Sequence, residues 1–258
     1  MISKKKKSVN LIENQKTLHK NLEFTATEQY KLLRANLSFT LPDDVKCPII
    51  GVTSSMRGEG KSTTAVNLSY VLAEAGKKVM LIDGDMRIPS IAKKMKISNN
   101  LGLTDCLKGG ETMKLSVFKS EIFGNWYIMP SGVVPPNPSE LLASKRMENV
   151  LKMLTETFDY IIIDLPPVNI VSDALAVSKY ITGMILVIRE DYVEKRELEN
   201  CVRLLDLSNV NVLGCVMNGA KAGNGYYSKS KYGKGGKYSK YYKYSYYGKS
   251  DSSSGGRS

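Results

Sequence analysis

The sequence predicts an α/β fold, a mostly parallel sheet with helices on both faces. Strand-like and helix-like segments alternate between residues 24 and 220, which is the pattern of a sheet built from βαβ units. A glycine-rich loop joins the first strand-like run to a helical pattern, and two later apolar runs end in aspartate. The 258 residues are enough to bury one sizeable core.

The elements are predicted in chain order from these patterns. Thr-Ala-Thr-Glu at 25–28 is typical of a capping box, and it opens a helix that continues to about residue 39. We predict strands at 48–54, 78–83, 126–130, 159–164, 182–188 and 211–217. We predict further helices at 61–76, 89–96, 102–108, 139–157, 172–180 and 193–207. Residues 131–137, which include one glycine and two prolines, are predicted to form a loop.

The stretch 51–64 has the layout of the phosphate-binding loop of P-loop nucleotide-binding proteins. Backbone N–H groups and the helix dipole are expected to hold nucleotide phosphates. Lys61 is expected to reach the β- and γ-phosphates, and Ser62 to bind Mg²⁺. Ser55 stands where the usual pattern has glycine, so the loop is a variant, and the alternative is a chance Gly-Lys-Ser at a helix start. The predicted nucleotide-contacting residues of the loop are Arg57, Gly58, Glu59, Gly60, Lys61, Ser62 and Thr63.

Three aspartates stand at the ends of two apolar runs, where open α/β sheets have their ligand crevice. Asp164 is predicted to hold Mg²⁺, directly or through water, as a Walker B acid does. Asp83 and Asp85 are predicted to face one site, where a cation relieves their repulsion. One of them would assist the metal, and the other would take the proton of an acceptor hydroxyl. The alternative is that Asp-Gly-Asp is only a turn.

Two further polar residues follow strand-like runs. Arg87 has two candidate partners, Asp85 and a phosphate. Asn218 ends the last predicted strand, where its amide either contacts the adenine edge or forms a turn. The predicted catalytic residues are Lys61, Asp83, Asp85 and Arg87. The predicted metal ligands are Ser62, Asp85 and Asp164.

The formal net charge of +12 lies at the two ends of the chain. Residues 1–10 contain four lysines, and residues 221–258 contain eight lysines and one arginine against one aspartate. Residues 11–220 are therefore neutral, which argues against a nucleic-acid groove there. Four scattered cysteines and one histidine provide neither a zinc motif nor a His-based triad, and they fit a reducing cytoplasm. No apolar run reaches the roughly 18–20 residues of a membrane span, and no signal-peptide pattern is present.

The charge pattern and composition divide the chain into three predicted parts. Residues 1–23 are a flexible basic segment, 24–220 a folded domain and 221–258 a disordered tail rich in Lys, Tyr, Gly and Ser. Such a tail can bind single-stranded nucleic acid, form a phase-separating tract, or accept phosphate on tyrosine. Its connection to a phosphoryl-transfer site favours the last. The candidate acceptors are Tyr226, Tyr227, Tyr232, Tyr238, Tyr241, Tyr242, Tyr244, Tyr246 and Tyr247.

Taken together, the variant loop, the Asp-Gly-Asp-Met-Arg segment at 83–87, Asp-Leu-Pro-Pro at 164–167 and the tyrosine cluster resemble the bacterial tyrosine kinases. The likeness is to the kinases of Gram-positive capsule and exopolysaccharide operons. Glu28, Lys31 and Arg34 resemble the family's E-x-x-R-x-x-R subunit-contact motif. Lys31 replaces its first arginine and cannot form a bidentate fork. The alternative for this stripe is an intrahelical ion pair.

The resemblance implies an ATP- and Mg²⁺-dependent protein-tyrosine autokinase that controls capsule or exopolysaccharide synthesis. It implies a ring-like homo-oligomer in which the tail of one subunit enters the site of the next. It also implies a separate transmembrane activator, the polysaccharide co-polymerase, a cognate tyrosine phosphatase, and a cytoplasmic location at the inner face of the membrane. No nucleic-acid partner is expected.

Two alternatives belong to other functional classes. The first is a MinD/ParA-type positioning ATPase, whose signature lysine would stand five residues before Lys61, where this chain has Met56. The second is a nucleotide-dependent interaction module whose tail binds polyanions.

Overall fold

A computed structural model describes residues 22, 24–109, 116–120 and 122–220. The predicted basic segment 1–23, apart from Leu22, and the predicted tail 221–258 lie outside the described residues. No helix in the described ranges is both long and apolar enough to cross a membrane.

Within the described residues the sheet has seven strands, arranged in the order β3-β4-β2-β5-β1-β6-β7. All neighbours are parallel except β3 and β4, which pair antiparallel at one edge. The strands are β1 (Ile49–Ser54), β2 (Val79–Asp83), β3 (Phe118–Lys119), β4 (Trp126–Met129), β5 (Tyr160–Asp164), β6 (Gly183–Arg189) and β7 (Val212–Asn218). All six predicted strands are confirmed within one residue at either end. The two-residue strand β3 was not predicted, because it is too short to show a periodic pattern.

Helices cover both faces of the sheet, as predicted. They are α1 (Phe24–Thr40), α2 (Lys61–Glu74), α3 (Ile91–Met95), α4 (Leu103–Lys108), α5 (Pro138–Ala143), α6 (Lys145–Thr155), α7 (Asp173–Val177) and α8 (Lys195–Leu207), with a 3₁₀ turn at Ser178–Tyr180. The apolar side chains of α1, α2 and α3 belong to one core cluster, and those of α4 to α8 belong to the other. Within β5, Ile162 contributes to the first cluster, and Ile161 and Ile163 contribute to the second. Successive side chains of a strand point to opposite faces, so the three consecutive isoleucines of β5 are explained by the cover on both of its faces.

The helix predicted at 139–157 is divided into α5 and α6 at Ser144. The backbone of Ser144 is extended, with φ −73° and ψ 156°. Its hydroxyl donates to the carbonyl of Leu141 and accepts from the N–H of Met147. The Ser144 side chain therefore provides a hydrogen-bond donor for a carbonyl at the end of α5 and caps the start of α6.

The central strands bring three chain segments together at the carboxyl edge of the sheet. β5 lies between β1 and β2, and Asp164 is paired in register with Val52 on one side and with Asp83 on the other. The loop after β1, the loop after β2 and the end of β5 consequently meet at one place. This arrangement positions the site described below.

Candidate active site

The predicted phosphate-binding loop connects β1 to α2. Gly58 and Gly60 have φ of 84° and 100°, a region that glycine adopts readily and other residues only with strain. A Cβ atom on Gly60 would also lie 2.0 Å from Nδ2 of Asn218. α2 begins at Lys61, so the unpaired N–H groups of its first turn lie next to the loop. This is the bare backbone at a helix N-terminus that binds phosphate groups in proteins.

Glu59 supports the loop from inside. Its side chain is fully buried, and Oε1 accepts from the Ser55 hydroxyl and the Met56 N–H, both at 2.6 Å. Oε2 accepts from the N–H of Arg189 at the end of β6, at 3.2 Å. Glu59 was predicted as a nucleotide-contacting residue of the loop; its side chain supports the loop, and the contact with the nucleotide stays a prediction. Ser55, at the position where the usual pattern has glycine, supplies one of these hydrogen bonds.

Lys61 lies at the centre of a group of oxygen atoms. Its Nζ is 2.9 Å from Oδ2 of Asp85, 3.3 Å from Oδ1 of Asp164 and 3.3 Å from the hydroxyl of Ser62. Burial alone would lower the pKa of Lys61, but the carboxylates of Asp164 and Asp85 outweigh it and raise this pKa. Lys61 is therefore a cation held at the place where the predicted metal ligands converge.

Asp83 is fully buried, and its two carboxylate oxygens differ in their hydrogen bonding. Oδ2 accepts from the N–H groups of Ser90 and Ile91 at 3.0 and 2.9 Å, and so it caps the start of α3. Oδ1 is buried and has no hydrogen-bond partner among the described residues. Burial raises the pKa of Asp83 to about 8, and the neighbouring charge of Asp164 contributes to this rise. The carboxylates of Asp83 and Asp85 thus have separate partners in the structure.

The raised pKa of Asp83 predicts a pH dependence of stability. The folded state binds the proton more tightly than the unfolded chain, in which the pKa of aspartate is about 3.9. The free energy of unfolding should therefore fall as the pH rises from about 4 through about 8. Asp83→Asn, whose amide oxygen can still accept both backbone N–H groups, should show a smaller fall. Urea unfolding of the nucleotide-free proteins at pH 6 and pH 9 measures the difference, and equal pH dependence in both proteins would contradict the assignment.

The three predicted metal ligands fit a magnesium ion. Oxygen atoms of Ser62, Asp85 and Asp164 surround Lys61 Nζ, and Oδ2 of Asp164 is buried without a hydrogen-bond partner among the described residues. Burial raises the pKa of Asp164, because its charge has lost contact with water. Within the described ranges no group of three His, Cys, Asp or Glu side chains could hold a metal unaided. Mg²⁺ commonly takes one or two carboxylates and completes its shell with phosphate oxygens and water.

Arg87 does not pair with Asp85, the first of its two candidate partners, and its contact with a phosphate stays a prediction. It forms a bidentate pair with Asp173, from Nε to Oδ2 at 2.9 Å and from Nη2 to Oδ1 at 3.0 Å. The hydroxyl of Ser139 also donates to Oδ1 of Asp173. Asp173 was not predicted as a site residue. It lies 86 residues from Arg87, and no local pattern in the sequence marks such a pair.

The remaining residues predicted to bind the nucleotide lie at the rim of the site. Asn218 ends β7, and its Nδ2 donates to the carbonyl of Glu59 at 2.8 Å. This amide group therefore contacts the loop in the structure. Arg57 is exposed, and the hydroxyl of Thr63 accepts from Nζ of Lys94 at 3.2 Å.

The charged stripe on α1 makes contacts within the chain. Lys31 Nζ is 2.9 Å from Oε1 of Glu28, which is the intrahelical pair considered as the alternative. Arg34 donates to the carbonyl of Val71 in the last turn of α2, at 2.6 Å. The role of the stripe in subunit contact stays a prediction. The nine candidate acceptor tyrosines lie outside the described residues.

Comparison with known proteins gives consistent matches. The family model described as AAA domain matches residues 47–209. The chain is 37% identical to tyrosine-protein kinase YwqD of Bacillus subtilis (strain 168) over 205 residues, which cover 78% of this chain and 86% of that protein. It is also 37% identical to tyrosine-protein kinase CpsD of Streptococcus pneumoniae serotype 4 over 202 residues, which cover 77% and 87% respectively.

Solved structures also favour the kinase hypothesis over the positioning ATPases. The kinase domain of the Escherichia coli tyrosine kinase ETK matches with a TM-score of 0.70 and 29% identity, over 78% of this chain and 80% of that one. The septum site-determining protein MinD of Pyrococcus horikoshii OT3, complexed with Mg-ADP, matches with a TM-score of 0.55 and 26% identity, over 66% and 70%. The positioning ATPases thus share the P-loop fold, but they match less of the chain and match it less closely.

Proposed function

Since the chain belongs to the bacterial tyrosine kinases, we propose that it transfers the γ-phosphate of ATP to tyrosines of its own segment 221–258. The observation that carries this proposal is the placement of Lys61 between Asp85 and Asp164, with Ser62 beside it. A buried cation and two carboxylates at the end of a phosphate-binding loop are the parts that phosphoryl transfer requires. The proposed process is the control of capsule or exopolysaccharide synthesis.

Each part of the site has a distinct proposed task. The backbone of the loop and the first turn of α2 hold the phosphates, and Lys61 stabilises the negative charge of the transferring group. Ser62, Asp85 and Asp164 are the residues that would hold Mg²⁺. That ion, when bound, supplies positive charge against the phosphate oxygens. Positioning and charge stabilisation account for most of the catalysis expected at such a site.

Asp83 is the proposed acceptor of the tyrosine proton. A pKa of about 8 suits a base that works near neutral pH, and Oδ1 has no hydrogen-bond partner among the described residues. Because Asp83 is fully buried, we propose that the side chains around its Oδ1 shift locally when the acceptor hydroxyl enters. Asp85, which is 5% exposed, stays with Lys61 and the metal.

The acceptor is proposed to be the tail of a neighbouring copy in a ring-like homo-oligomer. β7 ends at Asn218, at the same carboxyl edge of the sheet as Lys61 and Asp164, and its amide contacts the phosphate-binding loop. Glu28 and Lys31 on α1 are the proposed subunit contacts, with Arg34 holding α1 against α2. A separate transmembrane activator would bring the kinase to the inner face of the membrane, and a cognate tyrosine phosphatase would reverse the reaction.

A mixing experiment tests transfer between copies. A Lys61→Met chain with its tail intact is incubated with Mg-ATP and a chain that ends at Ala220. We expect phosphotyrosine on the tail of the first chain only in the mixture, because one chain supplies the acceptor and the other supplies the site. The measurement is an anti-phosphotyrosine blot, with full-length wild type as the positive control.

Three other outcomes would contradict parts of the proposal. An unlabelled mixture beside a labelled wild type would exclude transfer between copies. An unlabelled wild type, even with the cytoplasmic peptide of its activator present, would exclude the kinase function. Loss of ATP binding in the chain that ends at Ala220 would contradict the boundary between domain and tail.

A further inference from the structure

Asp173 is a buried carboxylate whose partners come from two other segments of the site. It is fully buried, whereas the side chain of Arg87 is 40% exposed, so the carboxylate is the more enclosed half of the pair. Arg87 donates two hydrogen bonds to it at 2.9 and 3.0 Å, and its Nη2 also donates to the hydroxyl of Ser139 at 3.2 Å. Ser139, at the start of α5, donates a third hydrogen bond to Asp173. The Asp173 carboxylate thereby joins three segments: the start of α7, the start of α5 and the loop after β2.

The loop after β2 is the one that carries Asp85. Asp85 Oδ2 accepts from Lys61 at 2.9 Å, and Oδ1 accepts from the N–H of Ile88 at 3.1 Å. Arg87 lies between Asp85 and Ile88 in the chain. The backbone that orients the Asp85 carboxylate is therefore fixed at its centre by the pair between Arg87 and Asp173.

We propose that Asp173 is a positioning residue for phosphoryl transfer, which acts through Arg87 to hold Asp85 against Lys61 and the metal position. This inference rests on the proposed function. A bidentate arginine–carboxylate pair fixes orientation as well as distance. Groups behind the metal ligands set the orientation of those ligands, and replacing such groups typically costs about 10- to 100-fold in metal affinity or activity. Asp173 itself touches neither the phosphate-binding loop nor Lys61 through any hydrogen bond of the described residues.

Asp173→Asn tests the inference. Asparagine keeps the shape of the side chain but loses its charge and one of the two acceptors for Arg87. We expect the kcat of tail phosphorylation to fall about 10- to 100-fold and the Mg²⁺ concentration for half-maximal ADP binding to rise by a similar factor. ADP affinity measured without Mg²⁺ should stay within about twofold of wild type, because the loop that binds phosphate is untouched.

Two further variants show whether the effect passes through Arg87. Arg87→Lys keeps the charge but cannot form the fork, and it should reproduce the loss. The double variant should be no worse than either single one, because both remove the same interaction. Glu148→Gln is the matched control, since it makes the same chemical change in an exposed pair with Lys145 on α6 and should leave kcat unchanged.

The outcomes that overturn the inference are separate from failure of the proposed function. Wild-type kcat and Mg²⁺ dependence in Asp173→Asn would overturn it. The inference would also be overturned if Asp173→Asn lost thermal stability and Mg²⁺-free ADP affinity in parallel, because that result indicates a merely structural role. If Asp173→Asn does not fold, the same measurements on Arg87→Lys decide. If wild type labels no tyrosine, the proposed function fails, while the Mg²⁺ dependence of ADP binding still tests Asp173.

Discussion

Replacing Lys61 with methionine is expected to reduce tail phosphorylation by about 10³-fold or more. Lys61 is the buried cation beside Asp85, Asp164 and Ser62, and methionine has similar length but no charge. The transferring phosphate would lose its principal positive partner within the chain. The measurement is the initial rate of phosphotyrosine formation on full-length protein with Mg-ATP.

The control must show that the loss of activity is specific to Lys61 and does not follow from replacing any lysine with methionine. Lys152→Met makes the same substitution in an exposed pair with Glu148 on α6, where an ion pair contributes at most about 1 kcal/mol to stability. We expect its rate to equal that of wild type. A Lys61→Met protein that keeps more than about a tenth of the wild-type rate would contradict the role given to Lys61, since one charge-stabilising donor is usually worth more.

Lys61→Met should also change the stability of the nucleotide-free protein. Without the cation, Asp164 would be a buried carboxylate with no charge partner, and its pKa would rise further. A raised folded-state pKa means that stability is lost as the pH rises. The loss relative to wild type should therefore be larger at pH 8 than at pH 5, and thermal melts at the two values would measure it.

Gly60→Ala is expected to abolish nucleotide binding and to lower the free energy of unfolding by about 2 to 5 kcal/mol. Two costs add at this position. The φ of 100° strains any residue with a Cβ atom, and the new methyl group would overlap Nδ2 of Asn218 at 2.0 Å. Either Asn218 or the loop must move, and the loop is the part that we propose to hold phosphate. Urea unfolding and titration with a fluorescent ADP analogue measure the two effects.

The chain offers a matched control for the backbone part of this cost. Gly76, just after α2, has φ of 85°, and a Cβ atom there would meet nothing within 4 Å. Gly76→Ala should therefore lose only the strain, about 1 to 2 kcal/mol, and should bind nucleotide normally. Adding Asn218→Gly to Gly60→Ala removes the overlapping amide group. The double variant should therefore recover the part of the lost free energy of unfolding that exceeds the backbone strain. Equal losses in the Gly60 and Gly76 variants would show that the overlap with Asn218 is unimportant.

The features that could be predicted from the sequence are those that depend on residues close together in the chain. The strands are continuous apolar runs, and the phosphate-binding loop is a contiguous motif, so both follow from neighbouring residues. The position of Asp164 beside Lys61 follows as well, because open parallel sheets bind ligands at the carboxyl ends of their strands. Family membership followed from several such motifs occurring together.

The features that were not predicted depend on contacts between distant residues. Arg87 pairs with Asp173, 86 residues away, and nothing near either residue in the chain indicates the other. The hydrogen bond between the Glu59 side chain and the N–H of Arg189 at the end of β6 joins residues 130 positions apart, so the loop motif alone did not predict it. The break at Ser144 divides a helical pattern that has no proline or glycine, and the side-chain cap only becomes visible in three dimensions.

Helix α2 joins two regions that were described separately above. Its first residue, Lys61, belongs to the nucleotide site, and ten residues later the carbonyl of Val71 accepts from Arg34 of α1. At 1.5 Å per residue, the two points are about 15 Å apart on one rod. Between these two points the helix is buried against the sheet, with Val66, Leu68 and Val71 in one core cluster with the strands. Helix α1 and the phosphate end of α2 are therefore joined through one rigid element, and a shift of α1 that tilted α2 would have to repack its contacts with the sheet.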